Sequence, residues 1–211
     1  RRDYTQSHEF LFRKSYSAFV FSGTGAEQAG IMEFSCLDHT TVVCFYATRK
    51  TPPACSIAGR RSFLMNEFLS ALFAGAEGYI NIREIDDKAR NAFWQVGADF
   101  EIRQNTNVYF GIFARHARSG KTEACTTTGA LWADFDGVTV DAVRERIARA
   151  GLPGPSIVVA SGHGIHTYWL LNSRAGDEAV AVVKAIVKAI GADPRPAHKA
   201  AVMRSEERRV G

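Results

Sequence analysis

From Met65 onward the apolar positions recur with regular periods. Phe68, Leu69, Leu72 and Phe73 fall at helical spacing before Gly75 and Gly78, which predicts a helix over Met65–Ala74. Tyr79-Ile-Asn-Ile-Arg83 alternates with period two and predicts a strand. A second helix is expected from Asp86-Asp87 to about Val96, closed by Gly97. Asn107–Phe113 and Ala130–Asp136 read as strands on either side of a polar loop rich in Gly, Lys and Thr. Thr139 can cap a helix whose Val140, Val143 and Ile147 share one face, with Gly151 at its end. Ser156–Ala160 and Ile165–Leu171 read as strands of a hairpin whose turn is Ser161-Gly-His-Gly164. Ala179, Val183, Ile186 and Ile190 stripe a last helix that stops at Gly191. This order predicts an α+β domain with a sheet covered on one face and open on the other, the open face carrying the chemistry.

The ends lack such order. In residues 1–64 only Thr40–Tyr46 reads as a strand, and the charged tail from Arg204 to Gly211 offers neither helix nor strand. The chain begins at Arg1, and its first Met in a plausible starting context is Met65. The expected organisation is therefore a catalytic domain over 65–204, truncated at its C-terminal end, and a tail over 205–211. For residues 1–64 two readings stand open, part of the domain or translated upstream sequence. On the second reading, deleting them leaves the stability of the rest unchanged.

Composition narrows the class. At 211 residues with 46% hydrophobic and 23% charged positions, the chain can bury a real core and is not disordered. No apolar run is long enough to span a membrane and no leader pattern opens the chain, so a cytoplasmic protein without a membrane partner is expected. Four scattered cysteines, Cys36, Cys44, Cys55 and Cys125, read as free thiols. The net charge of +4 is concentrated upstream: residues 1–64 hold 8 Lys/Arg against 5 Asp/Glu, and 65–211 hold 18 against 17. The basic balance is thus weak evidence for a polyanionic partner.

Three polar constellations remain. Asp134-Phe-Asp136 ends a strand, and period two places both carboxylates on one face with Phe135 on the other. Two like charges there need a cation, and hard divalent ions are bound by a few carboxylates together with substrate phosphates; a solvated Asp-x-Asp before the turn at Gly137 is the plain alternative. In Ser161-Gly-His-Gly-Ile-His166, Gly162 and Gly164 let backbone approach a bulky anion, while Ser161 and His166 bring a hydroxyl and an imidazole. His163 and His166 also admit a zinc reading, against which no Cys lies close; the plain alternative is a Gly-rich hairpin. Asp193, just past the last helix, is by itself a turn residue.

Order and spacing bind these together. His166 lies 32 residues after Asp134, and Asp193 lies 27 after His166. This set resembles the three-motif signature of the archaeo-eukaryotic primase superfamily, particularly primase-polymerase domains of plasmids, phages and other mobile elements. The flanks Gly78–Arg83, Phe110–Arg115, Leu131–Gly137 and His166–Leu171 fit as well. The resemblance covers about 65–204 and nothing in 1–64. It implies an RRM-like sheet with flanking helices, and DNA primase/polymerase nucleotidyl transfer with Mg2+ or Mn2+ on a single-stranded DNA template during replication. It further implies that Asp134, Asp136 and Asp193 hold the metals. His166, Ser161, Gly162 and Gly164 would contact the nucleoside triphosphate, with Arg115 and Arg204 as further phosphate or template contacts; a charged His166 would grip phosphate best. A helicase domain or protein is an expected partner outside this sequence. Ser205-Glu206-Glu207 stands where the family continues with a Pro-Gly-Thr-like loop, which leaves the activity of the chain by itself in question. The competing classes are a metal-dependent phosphodiesterase and a non-catalytic nucleic-acid-binding module.

Overall fold

The computed structural model describes residues 41–44, 57–85, 88–99, 107–160 and 164–204. Their elements, in chain order, are β1 (Thr41–Cys44), α1 (Ile57–Leu72), β2 (Tyr79–Ile85), β3 (Ala89–Gln95), β4 (Asn107–Gly111), β5 (Thr128–Asp136), α2 (Val140–Arg149), β6 (Ile157–Ala160), β7 (Gly164–Ala175), α3 (Glu178–Ile190) and β8 (Val202–Arg204). The α+β expectation holds, but the strands form two four-stranded sheets, in the orders β1-β6-β7-β5 and β3-β2-β4-β8. The first is mixed, because β1 runs parallel to β6 while β6, β7 and β5 are antiparallel.

Helix signals act where they were read. The Thr139 hydroxyl accepts from the Ala142 amide and opens α2. Gly191 takes the left-handed conformation that closes α3, whose Ala179, Val183, Ile186 and Ile190 are buried. α1, in contrast, starts upstream of Met65 and runs unbroken from Ile57 through it.

One expectation on an element is corrected. The helix expected from Asp86-Asp87, which lie outside the described residues, to about Val96 is a strand over Ala89–Gln95, which pairs antiparallel with the whole of β2, from Ile85↔Ala89 to Tyr79↔Gln95. Ala89, Ala92, Phe93 and Val96 do sit at helical spacing, but seven ladder positions along β2 outweigh that pattern, and Ala92 and Trp94, two apart, are the residues that pack on the core. A strand the sequence did not signal, Val202–Arg204, pairs with β4, with Met203 opposite Phe110 and buried, while the tail over 205–211 lies outside the described residues.

The two sheets and α1 share one core. Phe68 of α1 stands edge-on to Phe110 of β4 at 5.1 Å and to Tyr168 of β7 at 5.4 Å, so aromatic contacts join the helix to both sheets. α3 packs against β5 in the same molecule. The face of β5 and β7 expected to lie open is therefore largely covered by α1 and the second sheet, and it opens only at the end where β5 finishes.

Candidate active site

That end is built by register. On β5 and β7, Asp134 is opposite His166 and Asp136 is opposite Gly164, so period two sends Trp132, Asp134, Asp136, His166 and Tyr168 to one face. Gly164 matters for closeness of strands: a Cβ there would lie 2.3 Å from the Phe135 carbonyl oxygen. The other turn residues singled out, Ser161, Gly162 and His163, lie outside the described residues.

Asp193 arrives from elsewhere. After Gly191 the chain crosses back to β5, where the Asp193 amide donates to the Asp134 carbonyl at 2.8 Å. Three residues on, the Trp132 indole donates to the Pro196 carbonyl at 2.9 Å and fastens the same segment. These two bonds bring a third carboxylate beside Asp134 and Asp136, as the spacing of the motifs anticipates.

Arg195, which the sequence reading did not single out, lies between two of the three. Its Nε donates to Asp193 Oδ2 at 2.7 Å and its Nη2 to Asp136 Oδ2 at 2.8 Å, while its amide donates to Asp193 Oδ1 at 2.9 Å. The signal available was its position two residues after Asp193. The side chain is 78% exposed, so the bridge is salt-sensitive and each pair is weak. Chemically, it places a positive charge between two carboxylates.

Asp134 is different in kind. Its side chain is only 20% exposed, with Oδ1 3.3 Å from His166 Nε2. Burial, with Asp136 and Asp193 adding repulsion, pushes its carboxyl up to about 6. Burial pushes His166 down to about 4, partly offset by the Arg204 backbone beside it. His166, expected to contact phosphate, is a buried ring whose Nε2 faces Asp134, a position from which it can orient that carboxylate. Tyr168 is fully buried on the same face, with a hydroxyl held well above its usual range by burial and by Asp134.

The two arginines fare differently. Arg115 is fully buried, and its guanidinium donates to the Ser119 and Lys121 carbonyls at 3.0 and 2.9 Å. It pins the loop after β4, where the Arg115 backbone bridges Tyr79. Arg204 is half-buried, with Nη2 and Nε 2.8 and 3.2 Å from the Tyr109 hydroxyl.

No family model matches the sequence, and no curated protein does. Among solved structures, the chain is similar to the AEP domain of the cyanophage S-2L primase-polymerase (PrimPol), with a TM-score of 0.54 at 19% identity over 69% of this chain and 80% of that one. The fold is that of an archaeo-eukaryotic primase-polymerase domain. A second similar structure, primase RepB', gives a TM-score of 0.44 at 16% identity over 70% of this chain and 48% of that one. Within the primase-polymerase fold, the three acids lie where β5 ends and the chain leaves α3. No helix among the described residues is long and apolar enough to cross a membrane.

Proposed function

We propose that the chain is a nucleotidyltransferase of the DNA primase/polymerase type, which joins nucleoside triphosphates on a single-stranded DNA template in replication. The observation that carries this is the convergence of Asp134, Asp136 and Asp193 from two separate segments at the open end of a primase-polymerase fold. Carboxylate oxygens suit Mg2+ or Mn2+. The fit is one of donor chemistry: among the described residues no group of three His, Cys, Asp or Glu is already arranged around one point, and the Arg195 guanidinium occupies the space between Asp136 and Asp193. That guanidinium marks the place as one that accommodates positive charge.

In the proposed reaction a 3′-hydroxyl oxygen forms a bond to the α-phosphorus of the incoming nucleotide. The α–β phosphoanhydride bond breaks and pyrophosphate leaves with that electron pair. Divalent ions, when bound, supply activation of the hydroxyl and charge neutralisation on the leaving group. Asp134, Asp136 and Asp193 would hold them. His166 would fix the orientation of the Asp134 carboxylate through the 3.3 Å contact.

Extension of a labelled primer with Mg2+ or Mn2+ tests the reading. Asp136→Asn removes a mostly exposed carboxylate and leaves the core untouched, so the thermal midpoint should hold while the extension rate falls about a hundredfold or more. Wild-type extension by this variant rejects the assignment. Release of nucleoside monophosphate from a polynucleotide, without pyrophosphate from a triphosphate, would point to a phosphodiesterase.

A further inference from the structure

We propose that the outward face of the β3-β2-β4-β8 sheet is a stacking platform for a single nucleic-acid strand. The proposal rests on the reading above that the chain works on nucleic acid, and adds where a strand lies. In this sheet Ile80, Ile82, Phe110 and Met203 turn into the core, so the alternate residues face outward. Register places them together: Arg83 is opposite both Asn91 and Tyr109, Tyr109 is opposite Arg204, and Asn81 is opposite Phe93.

The outward face therefore combines rings with guanidinium groups. Arg83 is exposed, and Tyr79, Phe93, Tyr109 and Arg204 are half-buried. The Arg204 guanidinium lies over the Tyr109 ring, 5.3 Å from its centre, and Arg118 lies over Tyr79 at 5.2 Å. Among the described residues no Asp or Glu occupies a strand position on this face. The acidic residue of β2, Glu84, is buried on the other side.

This chemistry selects the occupant. A docking protein helix would call for contiguous aliphatic surface, whereas flat rings interleaved with arginines suit unpaired bases stacked on rings or guanidinium planes, with the phosphates near the charges. A duplex offers no free base faces. The location adds continuity with the acid site: β8 ends at Arg204, whose side chain faces the platform and whose backbone lies beside the His166 ring. At the other end the Arg115 guanidinium lies against Gly111, where an added Cβ would come within 3.4 Å of it, and Arg83 is exposed.

The experiment is fluorescence anisotropy with labelled oligodeoxythymidine and oligouridine of about 12 nucleotides, plus a duplex of equal length, over a salt series. The wild-type chain should bind single strands more tightly than the duplex, and the two oligomers separate DNA from RNA as occupant. Phe93→Ala should weaken binding about fivefold or more without changing the salt slope, since it removes a stacking surface. Arg83→Ala should weaken it and lower the slope by about 0.7, and Arg83→Lys should restore the slope. Both positions are on the solvent side, so unchanged thermal midpoints are expected. Weakened binding in Phe93→Ala and Arg83→Ala, with no nucleotidyl transfer from any form of the chain, keeps the platform and removes the catalytic reading. Wild-type affinity and slope in both variants, equal affinity for duplex, or no binding by the wild-type chain overturns the platform.

Discussion

Asp134 and His166 face each other across β5 and β7, and burial acts on them in opposite senses. A carboxyl raised to about 6 when folded binds its proton more tightly than in the unfolded chain, so its contribution to stability falls as pH rises from about 4 to 6. An imidazole lowered to about 4 binds its proton less tightly when folded, so its contribution rises as pH climbs from about 4 to 6.5. The two slopes oppose each other within one window. Measured by urea unfolding, Asp134→Asn should gain stability relative to wild type between pH 4 and 6, by on the order of 2 kcal/mol. His166→Gln should lose stability relative to wild type across the same range. Parallel pH profiles in all three chains would mean that burial does not perturb the pair. The opposed shifts of this pair were beyond reach of the sequence, because desolvation depends on α1 and the second sheet closing over the face. The acids themselves were legible, since an Asp-x-Asp on a period-two strand must share a face. Arg195 was not: an arginine two residues past an acid is ordinary surface charge until the crossing to β5 brings Asp136 to it.

Among the elements, the strands and helices with strong local patterns stand where their periodicity put them: β2, β4, β5, α2, β6, β7 and α3. The failures, β3 and β8, are both edge strands of the second sheet. Edge strands carry weak patterns, because one side of their ladder is unpaired and only part of their side chains is buried. β3 takes its conformation from β2, and the three residues of β8 are ordered by β4 and by Met203 entering the core. The hairpin of β6 and β7 yields a prediction at this scale. Gly164 is needed for strand approach, since an added Cβ would meet the Phe135 carbonyl at 2.3 Å and backbone cannot rotate away. Gly164→Ala should destabilise the fold by about 1–3 kcal/mol and loosen the end of β5 that carries Asp134 and Asp136. Thermal or urea unfolding reads the first effect; an unchanged midpoint would show that the hairpin can shift at no cost.

For the whole molecule, the question left by the sequence is where the folded unit starts. α1 begins at Ile57, and Met65, Phe68, Leu69 and Leu72 on its second half are buried among both sheets. A chain starting at Met65 keeps those side chains but halves the helix, leaving a length that is marginal without its first turns. Calorimetry of 65–211 against 57–211 should therefore show a lower midpoint for the shorter chain, by several degrees if about 2 kcal/mol is lost. Equal midpoints would support Met65 as the boundary. By itself the sequence determined the α+β class and most of the elements, because these follow from short-range periodicity, and it pointed to Asp134, Asp136, His166 and Asp193 through their resemblance to the primase motifs. Tertiary structure alone decided the division into two sheets, the two edge strands, the inward turn of Arg115, the bridge made by Arg195 and the ring-and-arginine face around Tyr109. Each depends on register between segments far apart in the chain, and pairing energy between distant strands leaves no periodic trace in either strand alone.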